Sequence, residues 1–108
     1  MTKFKAEPGK IAAAFNFPKK FLGFQGHFPE QPILPGICEI QAVCVMLESA
    51  HKHKINIQEI VTAKFFSPVS AQEKIEVTVE EEKDQVKALI KAKDKKIAEI
   101  HLKIMLEK

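Results

Sequence analysis

The sequence has no tryptophan and no tyrosine, so its eight phenylalanines are its only aromatic residues. Proteins that bind nucleic acid commonly combine a marked excess of positive charge with aromatic rings on which bases stack. Here seventeen basic and fourteen acidic residues give a net charge of only +3. Both features argue against a nucleic-acid partner, whereas the slight positive charge is compatible with an acidic protein partner.

Cysteine is also scarce: Cys38 and Cys44 are the only two, six residues apart in an apolar run. On a helix, six residues correspond to a rotation of about 600°, so the two thiols point in different directions and cannot form a disulfide within it. The chain has no C-x-x-C pair of the kind found in metal sites. We therefore expect reduced thiols, a cytoplasmic protein, and no bound metal or cofactor.

Long apolar stretches are missing as well. No run approaches the roughly 18 residues of a membrane span, and Lys10 interrupts the N-terminal segment where a signal peptide would need continuous apolar sequence. A length of 108 residues suits one domain, covering residues 1–108. Because a domain of this size has a modest core, its stability would benefit from oligomerisation.

One segment, residues 36–50, predicts a helix. Nine of the eleven residues that follow Gly36 are apolar, and only Glu39 and Gln41 interrupt them. Apolar residues around almost the whole circumference are typical of a helix buried on nearly every side. The basic residues 51–54 that follow suit the negative end of the helix dipole.

Most of the remaining sequence alternates between apolar and polar residues with a period of two. This pattern indicates antiparallel strands with one buried and one solvated face, and it covers residues 10–17, 60–66, 75–80, 86–93 and 98–106. Residues 84–85 and 94–96 form short polar connections of the hairpin type. The sequence therefore predicts an α+β fold in which one sheet covers one helix.

The most specific motif is the stiff loop before the helix, "GHFPEQPILPG" at residues 26–36. It resembles the signature of the β-hydroxyacyl-(acyl carrier protein) dehydratases, in which a Gly-His-Phe-Pro segment, a Pro-x-x-Pro-Gly step and a central helix follow one another. The stretch "KFFSPV" at residues 64–69 is similar to the strand that follows the helix in that family. The resemblance extends from Phe21 to the C-terminus. It implies the hotdog fold, with one long central helix wrapped by a curled antiparallel sheet.

The resemblance also implies site residues at the matching positions. His27 matches the family's catalytic histidine, and Gly36 matches the glycine whose backbone N–H binds the thioester carbonyl. Phe28, Pro35 and Ile37 would line the substrate-binding site beside them. Independently, the first turn of a helix has free N–H donors and a partial positive charge, which would stabilise a developing oxyanion. A glycine there would let the substrate approach the backbone closely.

The family's acidic residue is replaced in this chain. A Glu or Asp stands five residues after that glycine in the family, and here the position is Gln41. An amide can orient a hydroxyl group, but it cannot act as an acid at neutral pH. Glu39 lies about 200° around the helix from Gln41, and Glu48 lies roughly 10 Å further along the axis, so we expect neither to replace it. General acid catalysis is typically worth about 10²–10⁴-fold in rate.

The resemblance, together with the replaced acid, leaves three functions open. The first is dehydration of 3-hydroxyacyl thioesters of acyl carrier protein or coenzyme A in fatty acid or related acyl-chain biosynthesis, with His27 and Gln41 at the catalytic positions. The second is thioester hydrolysis in the same pocket. The third is a non-catalytic acyl-binding or partner subunit. Because a single sheet leaves an edge strand open, and because the family pairs such sheets, we expect a homodimer with two sites at its interface.

Overall fold

The computed structural model describes residues 1–16, 36–69 and 73–106 of the chain. Within these ranges one antiparallel sheet of six strands packs against one helix. The strands lie in the order β1-β2-β4-β5-β6-β3. The elements, in chain order, are β1 (Thr2–Glu7), β2 (Lys10–Asn16), α1 (Gly36–His51), β3 (Ile55–Phe65), β4 (Lys74–Glu82), β5 (Gln85–Ala92) and β6 (Lys95–Leu106).

The inner face of the sheet is apolar, as the alternation in the sequence predicts. In β4, for example, Ile75, Val77 and Val79 are buried while Glu76 and Glu80 between them are exposed. The same alternation holds in β5, and β2 and β6 contribute further buried side chains. Burying one such aliphatic side chain stabilises the fold by about 1.5–3 kcal/mol. This layer forms one core together with the buried side chains of α1.

The two edge strands depart from the expected pattern. All six residues of β1 are exposed, so no periodic burial marks this strand in the sequence. It exists because its backbone pairs with β2 across a tight turn at Gly9, whose φ of 77° favours glycine. The other edge strand, β3, begins at Ile55, five residues before the alternation predicts. Among the described strands it pairs only with β6.

The C-terminal end of α1 is fixed by three hydrogen bonds. The Glu48 carboxylate accepts from the backbone N–H of Ile55 at 3.0 Å. His51 Nε2 lies 2.8 Å from a carboxylate oxygen of Glu81, at the end of β4. The backbone N–H of Lys52 donates to the carbonyl of Glu48 at 2.8 Å. Because this end of the helix meets the start of β3, its first turn lies near the end of β3.

The described residues contain no helix long and apolar enough to cross a membrane.

Candidate active site

The described residues include one part of the predicted site. Gly36, Ile37 and Gln41 lie in the first turns of α1. The other predicted site residues, His27, Phe28 and Pro35, lie outside the described residues.

The helix has one buried and one open face. Ile37, Gln41 and Val45 follow one another at intervals of four residues and therefore form a single stripe. All three are exposed, with 58% of Ile37 and 44% of Val45 accessible. The expectation of a helix buried on nearly every side is therefore wrong for the single chain. Only one face packs against the sheet, and the apolar residues opposite it have no cover within the described residues.

Gly36 lies in close contact with the ring of Phe65 at the end of β3. A Cβ atom at position 36 would lie 2.8 Å from Cζ and 3.0 Å from Cε1 of the Phe65 ring. Ordinary van der Waals contact begins at about 3.5 Å. The space that a side chain would fill is thus occupied by an aromatic ring. The role of this glycine in letting a substrate approach the helix start stays a prediction, and the structure adds the contact with the ring of Phe65.

Phe65 is the residue at this site that the sequence did not reveal. The motif "KFFSPV" placed it on a strand but gave no sign that its ring would cover the helix start. The contact joins residues 29 positions apart, so no local pattern encodes it. The ring remains 47% exposed, and it therefore forms an accessible apolar wall beside the first turn of α1.

Glu39 lies on the buried side of the same first turn. It is 3% exposed and is the only buried charged residue in the described parts of the chain. Its Oε1 atom has no hydrogen-bond partner among the described residues. Burial disfavours the carboxylate and raises the pKa of Glu39 to about 7. Glu39 faces inward while Gln41 is exposed, in agreement with the 200° separation that the sequence predicts.

The two cysteines on α1 are both free, as expected. Burial raises the pKa of the Cys38 thiol, and the neighbouring Glu39 charge raises it further. Burial also raises the pKa of Cys44. Since the thiolate is the nucleophilic form, neither residue is prepared for covalent catalysis.

Comparison with known proteins identifies the family. Residues 3–101 match the model of a family described as ApeI-like, ApeI dehydratase. The chain belongs to the ApeI-like dehydratase family. This membership confirms the resemblance to hotdog-fold 3-hydroxyacyl-(acyl carrier protein) dehydratases that the loop and helix motif carries.

Curated relatives of this ApeI-like chain are named 3-hydroxyacyl-(acyl-carrier-protein) dehydratase FabZ. The protein from Clostridium novyi is 47% identical over 38 residues, which cover 34% of this chain and 27% of that protein. The protein from Rhizobium etli is 32% identical over 69 residues, covering 57% of this chain and 44% of that protein. The matched part thus spans less than half the length of these relatives.

Solved structures share the fold of this ApeI-like chain. A chain of the dehydratase heterocomplex ApeI:P from Xenorhabdus doucetiae superposes with a TM-score of 0.83 at 19% identity, over 93% of this chain and 90% of that one. A protein from Archaeoglobus fulgidus gives a TM-score of 0.68 at 14% identity, over 98% and 83%. At these identities the similarity establishes the architecture, a six-stranded antiparallel sheet with one helix.

The contact between Gly36 and Phe65 generates the first prediction. In Gly36→Ala the added methyl group must displace the ring, which can swing outward because it is half-exposed. We expect a coupling energy of about 0.5–1 kcal/mol between Gly36→Ala and Phe65→Leu, at the lower end of the range for residues in contact. Urea unfolding of the two single variants and the double variant measures this value. Phe66→Leu is the matched control, and equal coupling with Phe66 would contradict the contact.

The burial of Glu39 generates the second prediction. Its pKa is about 7 in the folded chain, against an ordinary value of 4.5. The stabilising effect of the protonated form is complete below pH 4.5 and is lost as the pH rises through 7. The free energy of unfolding should therefore fall by about 3 kcal/mol over this pH range, which is the equivalent of the difference in pKa.

Glu39→Gln carries no ionisable group and should not suffer this loss. Urea unfolding at pH 5 and pH 8 should therefore show the variant gaining stability relative to the natural chain as the pH rises. The exposed Glu59→Gln is the control and should follow the natural chain. The contrary outcome is a difference in the free energy of unfolding between the two proteins that is the same at pH 5 and at pH 8. That result would contradict a raised pKa for the Glu39 carboxyl.

Proposed function

We propose that this chain dehydrates 3-hydroxyacyl thioesters at sites formed between two copies of itself. The observation that carries this proposal is the open face of α1 in a chain of the ApeI-like dehydratase family. Gly36 begins the helix and is partly exposed, and Ile37 and Gln41 beside it are exposed. The first-turn N–H groups and the residue at the family's acid position therefore lie on accessible surface, where a substrate can reach them.

The proposed reaction starts with the histidine of the loop motif. His27 takes a proton from C2 of the substrate, and the electron pair of that C–H bond moves toward the thioester carbonyl. The oxygen that gains negative charge accepts a hydrogen bond from the backbone N–H of Gly36, at the positive end of α1. Phe28, Pro35 and Ile37 would hold the acyl chain against this end of the helix.

In the second half of the reaction, Gln41 on the open face of α1 offers an amide and not a carboxyl group. The C3–O bond must break while a double bond forms between C2 and C3, and hydroxide is a poor leaving group unless it is protonated. We propose that the His27 imidazolium returns its proton to this hydroxyl, so that water leaves and the histidine is regenerated. Gln41 would hydrogen-bond the hydroxyl group and aim it at His27, which its amide can do without transferring a proton.

A second copy of the chain is the proposed cover for the open surfaces. β3 is an edge strand of the described sheet, so one row of its backbone N–H and C=O groups has no neighbouring strand among the described residues. Large apolar side chains on the same strand are exposed, namely Ile57, Ile60, Val61 and Phe65. Exposed apolar surface on an unpaired edge is typical of an interface. Pairing of two β3 strands would bring this surface and the open face of α1 together in a homodimer.

A partner-subunit function is the second candidate. Gln41 removes the acid that the family uses, and a family member from Xenorhabdus doucetiae is described as part of a dehydratase heterocomplex. On this alternative, the open face of α1 would be covered by a different, more complete chain. Thioester hydrolysis stays a third outcome of the same assay. A cytoplasmic location and a role in fatty acid or related acyl-chain biosynthesis belong to the main proposal.

The third prediction restores the missing acid. Gln41→Glu changes an amide into a carboxyl of nearly the same shape, and cover by a second chain would raise its pKa and keep part of it protonated. We expect the dehydration rate to rise about tenfold or more, a conservative share of general acid catalysis. The enoyl absorbance and the free thiol are followed with 3-hydroxybutyryl and crotonyl thioesters, because enoyl formation reports dehydration and free thiol reports hydrolysis.

His27→Ala is the control for this assay and should abolish dehydration in a folded protein. No enoyl signal from the natural chain and no gain in Gln41→Glu would favour the partner-subunit function. Dehydration that survives in folded His27→Ala would remove the histidine from the mechanism.

The fourth prediction concerns the β3 edge. The chain has a mass of 12.2 kDa, and sedimentation at micromolar concentration should give twice this mass. Ile60→Lys should return the protein to the monomer, because a charge at this exposed position disrupts an interface but costs a single chain little. Phe4→Lys on the opposite edge strand, β1, is the control and should remain dimeric. A monomeric natural chain would reject the homodimer.

A further inference from the structure

The ring of Phe65 meets the start of α1 end-on. The ring atoms nearest to a Cβ atom at position 36 are Cζ, Cε1 and Cε2, at 2.8, 3.0 and 3.3 Å. These three atoms form the tip of the ring, so the ring points at the helix start. A Cβ atom lies about 2.5 Å from the backbone nitrogen of its own residue. The tip of the ring therefore lies within about 5.3 Å of the Gly36 nitrogen.

The tip of the ring also lies in front of the helix. The Cα–Cβ bonds of a helix tilt toward its N-terminus, and the free N–H groups of the first turn point in the same direction. A Cβ atom at Gly36 would thus extend forward of the first turn, and the Phe65 ring fills that place. The ring therefore borders the space in which a substrate oxygen would accept a hydrogen bond from the Gly36 N–H.

The position of the ring is fixed from both ends. On the strand side, Phe65 pairs with Ala98 of β6, and the backbone N–H of the next residue, Phe66, donates to the carbonyl of Ile97 at 2.8 Å. On the helix side, the ring tip contacts Gly36. A side chain that is already held in place loses little conformational entropy when a ligand binds against it. The half-exposed ring is therefore a rigid surface for a bound molecule.

The proposed reaction determines which part of the substrate faces this surface. Gly36 and Gln41 are five residues apart, which corresponds to about 140° around the helix axis. The Gly36 N–H would hold the carbonyl oxygen, and Gln41 would hold the hydroxyl group on C3. A carbonyl carbon carries its two other substituents, here C2 and sulfur, on opposite sides of its oxygen. With C2 and C3 directed toward Gln41, the sulfur atom is directed toward Phe65.

We propose that the ring of Phe65 contacts the sulfur atom of the bound acyl thioester and makes the site selective for thioesters over oxygen esters, an inference that rests on the dehydratase function proposed above. Sulfur is polarisable and packs favourably against the edge of an aromatic ring at a distance of about 5 Å. An ester oxygen in its place is smaller and less polarisable. Phe65 is thus a positioning residue, which holds the thioester group while other residues act on C2 and C3.

Two substrates that differ in a single atom test this contact. They are the 3-hydroxybutyryl thioester of N-acetylcysteamine and the corresponding oxygen ester of N-acetylethanolamine. The ratio of their kcat/KM values, thioester over oxygen ester, should fall about two- to tenfold in Phe65→Leu, which keeps an apolar side chain but lacks the ring. A purely structural role of Phe65 would slow the turnover of both esters alike and would leave the ratio unchanged.

Phe66→Leu is the matched control. It makes the same substitution at the next residue, whose ring is 52% exposed and lies 5.5 Å from Lys96 Nζ. The ratio of the two kcat/KM values in this variant should equal that of the natural chain. Because both rings are about half-exposed, neither substitution removes a buried side chain, and both variants should fold.

A second measurement detects the contact without turnover. The eight phenylalanines are replaced by 3-fluorophenylalanine, and the ¹⁹F resonances of Phe65 and Phe66 are assigned from their absence in the two leucine variants. The ligands are the butyryl thioester and the butyryl oxygen ester, which lack the hydroxyl group and cannot be dehydrated. The Phe65 resonance should shift more with the thioester than with the oxygen ester, and the Phe66 resonance should shift equally little with both.

An unchanged ratio in Phe65→Leu, or equal falls in both leucine variants, would overturn the sulfur contact, while the dehydratase function would stand. A natural chain that turns over neither ester would contradict the dehydratase function, and the fluorine resonances then decide on the contact by itself. A larger shift of the Phe65 resonance with the thioester supports the contact. Equal shifts with the two esters would overturn it.

Discussion

The packing of one face of α1 against the apolar face of the sheet is the contact on which the rest of the structure depends. Val43, Met46 and Leu47 on this face have no accessible surface. Their burial fixes the rotation of the helix about its axis. Because the rotation is fixed, Ile37, Gln41 and Val45 must point away from the sheet. The open face that we assign to the substrate and to a second copy is therefore a consequence of core packing.

The same rotation of α1 places the carboxyl group of Glu39 on the buried side of the helix. Glu39 lies in the first turn of the helix and is 3% exposed, on the same side of the helix as the buried Val43. A carboxyl in such surroundings is more stable when protonated, which is why its pKa is raised. The chain thus has a proton-carrying group on the inner side of the first turn and an amide on the outer side.

The two ends of the sheet contact the two ends of the helix. At one end, the hydrogen bonds of Glu48 and His51 hold the end of the helix. At the other end, the ring of Phe65 lies against the helix start. Since antiparallel strands run back and forth between the two ends, residues distant in sequence meet at each end.

Much of this architecture follows from the sequence, because local periodicity reports burial. The helix begins at Gly36, as the proline-glycine step predicts, and β4, β5 and β6 lie where apolar and polar residues alternate. The loop and helix motif also indicated the dehydratase family. By contrast, β1 has no buried side chain, and pairing with β2 alone makes it a strand. Tertiary structure alone decided that Glu39 is buried and Gln41 exposed, and that Phe65 occupies the space beside Gly36. Spacing along a helix sets which residues share a side, but which side is covered depends on contacts with strands far away in the chain.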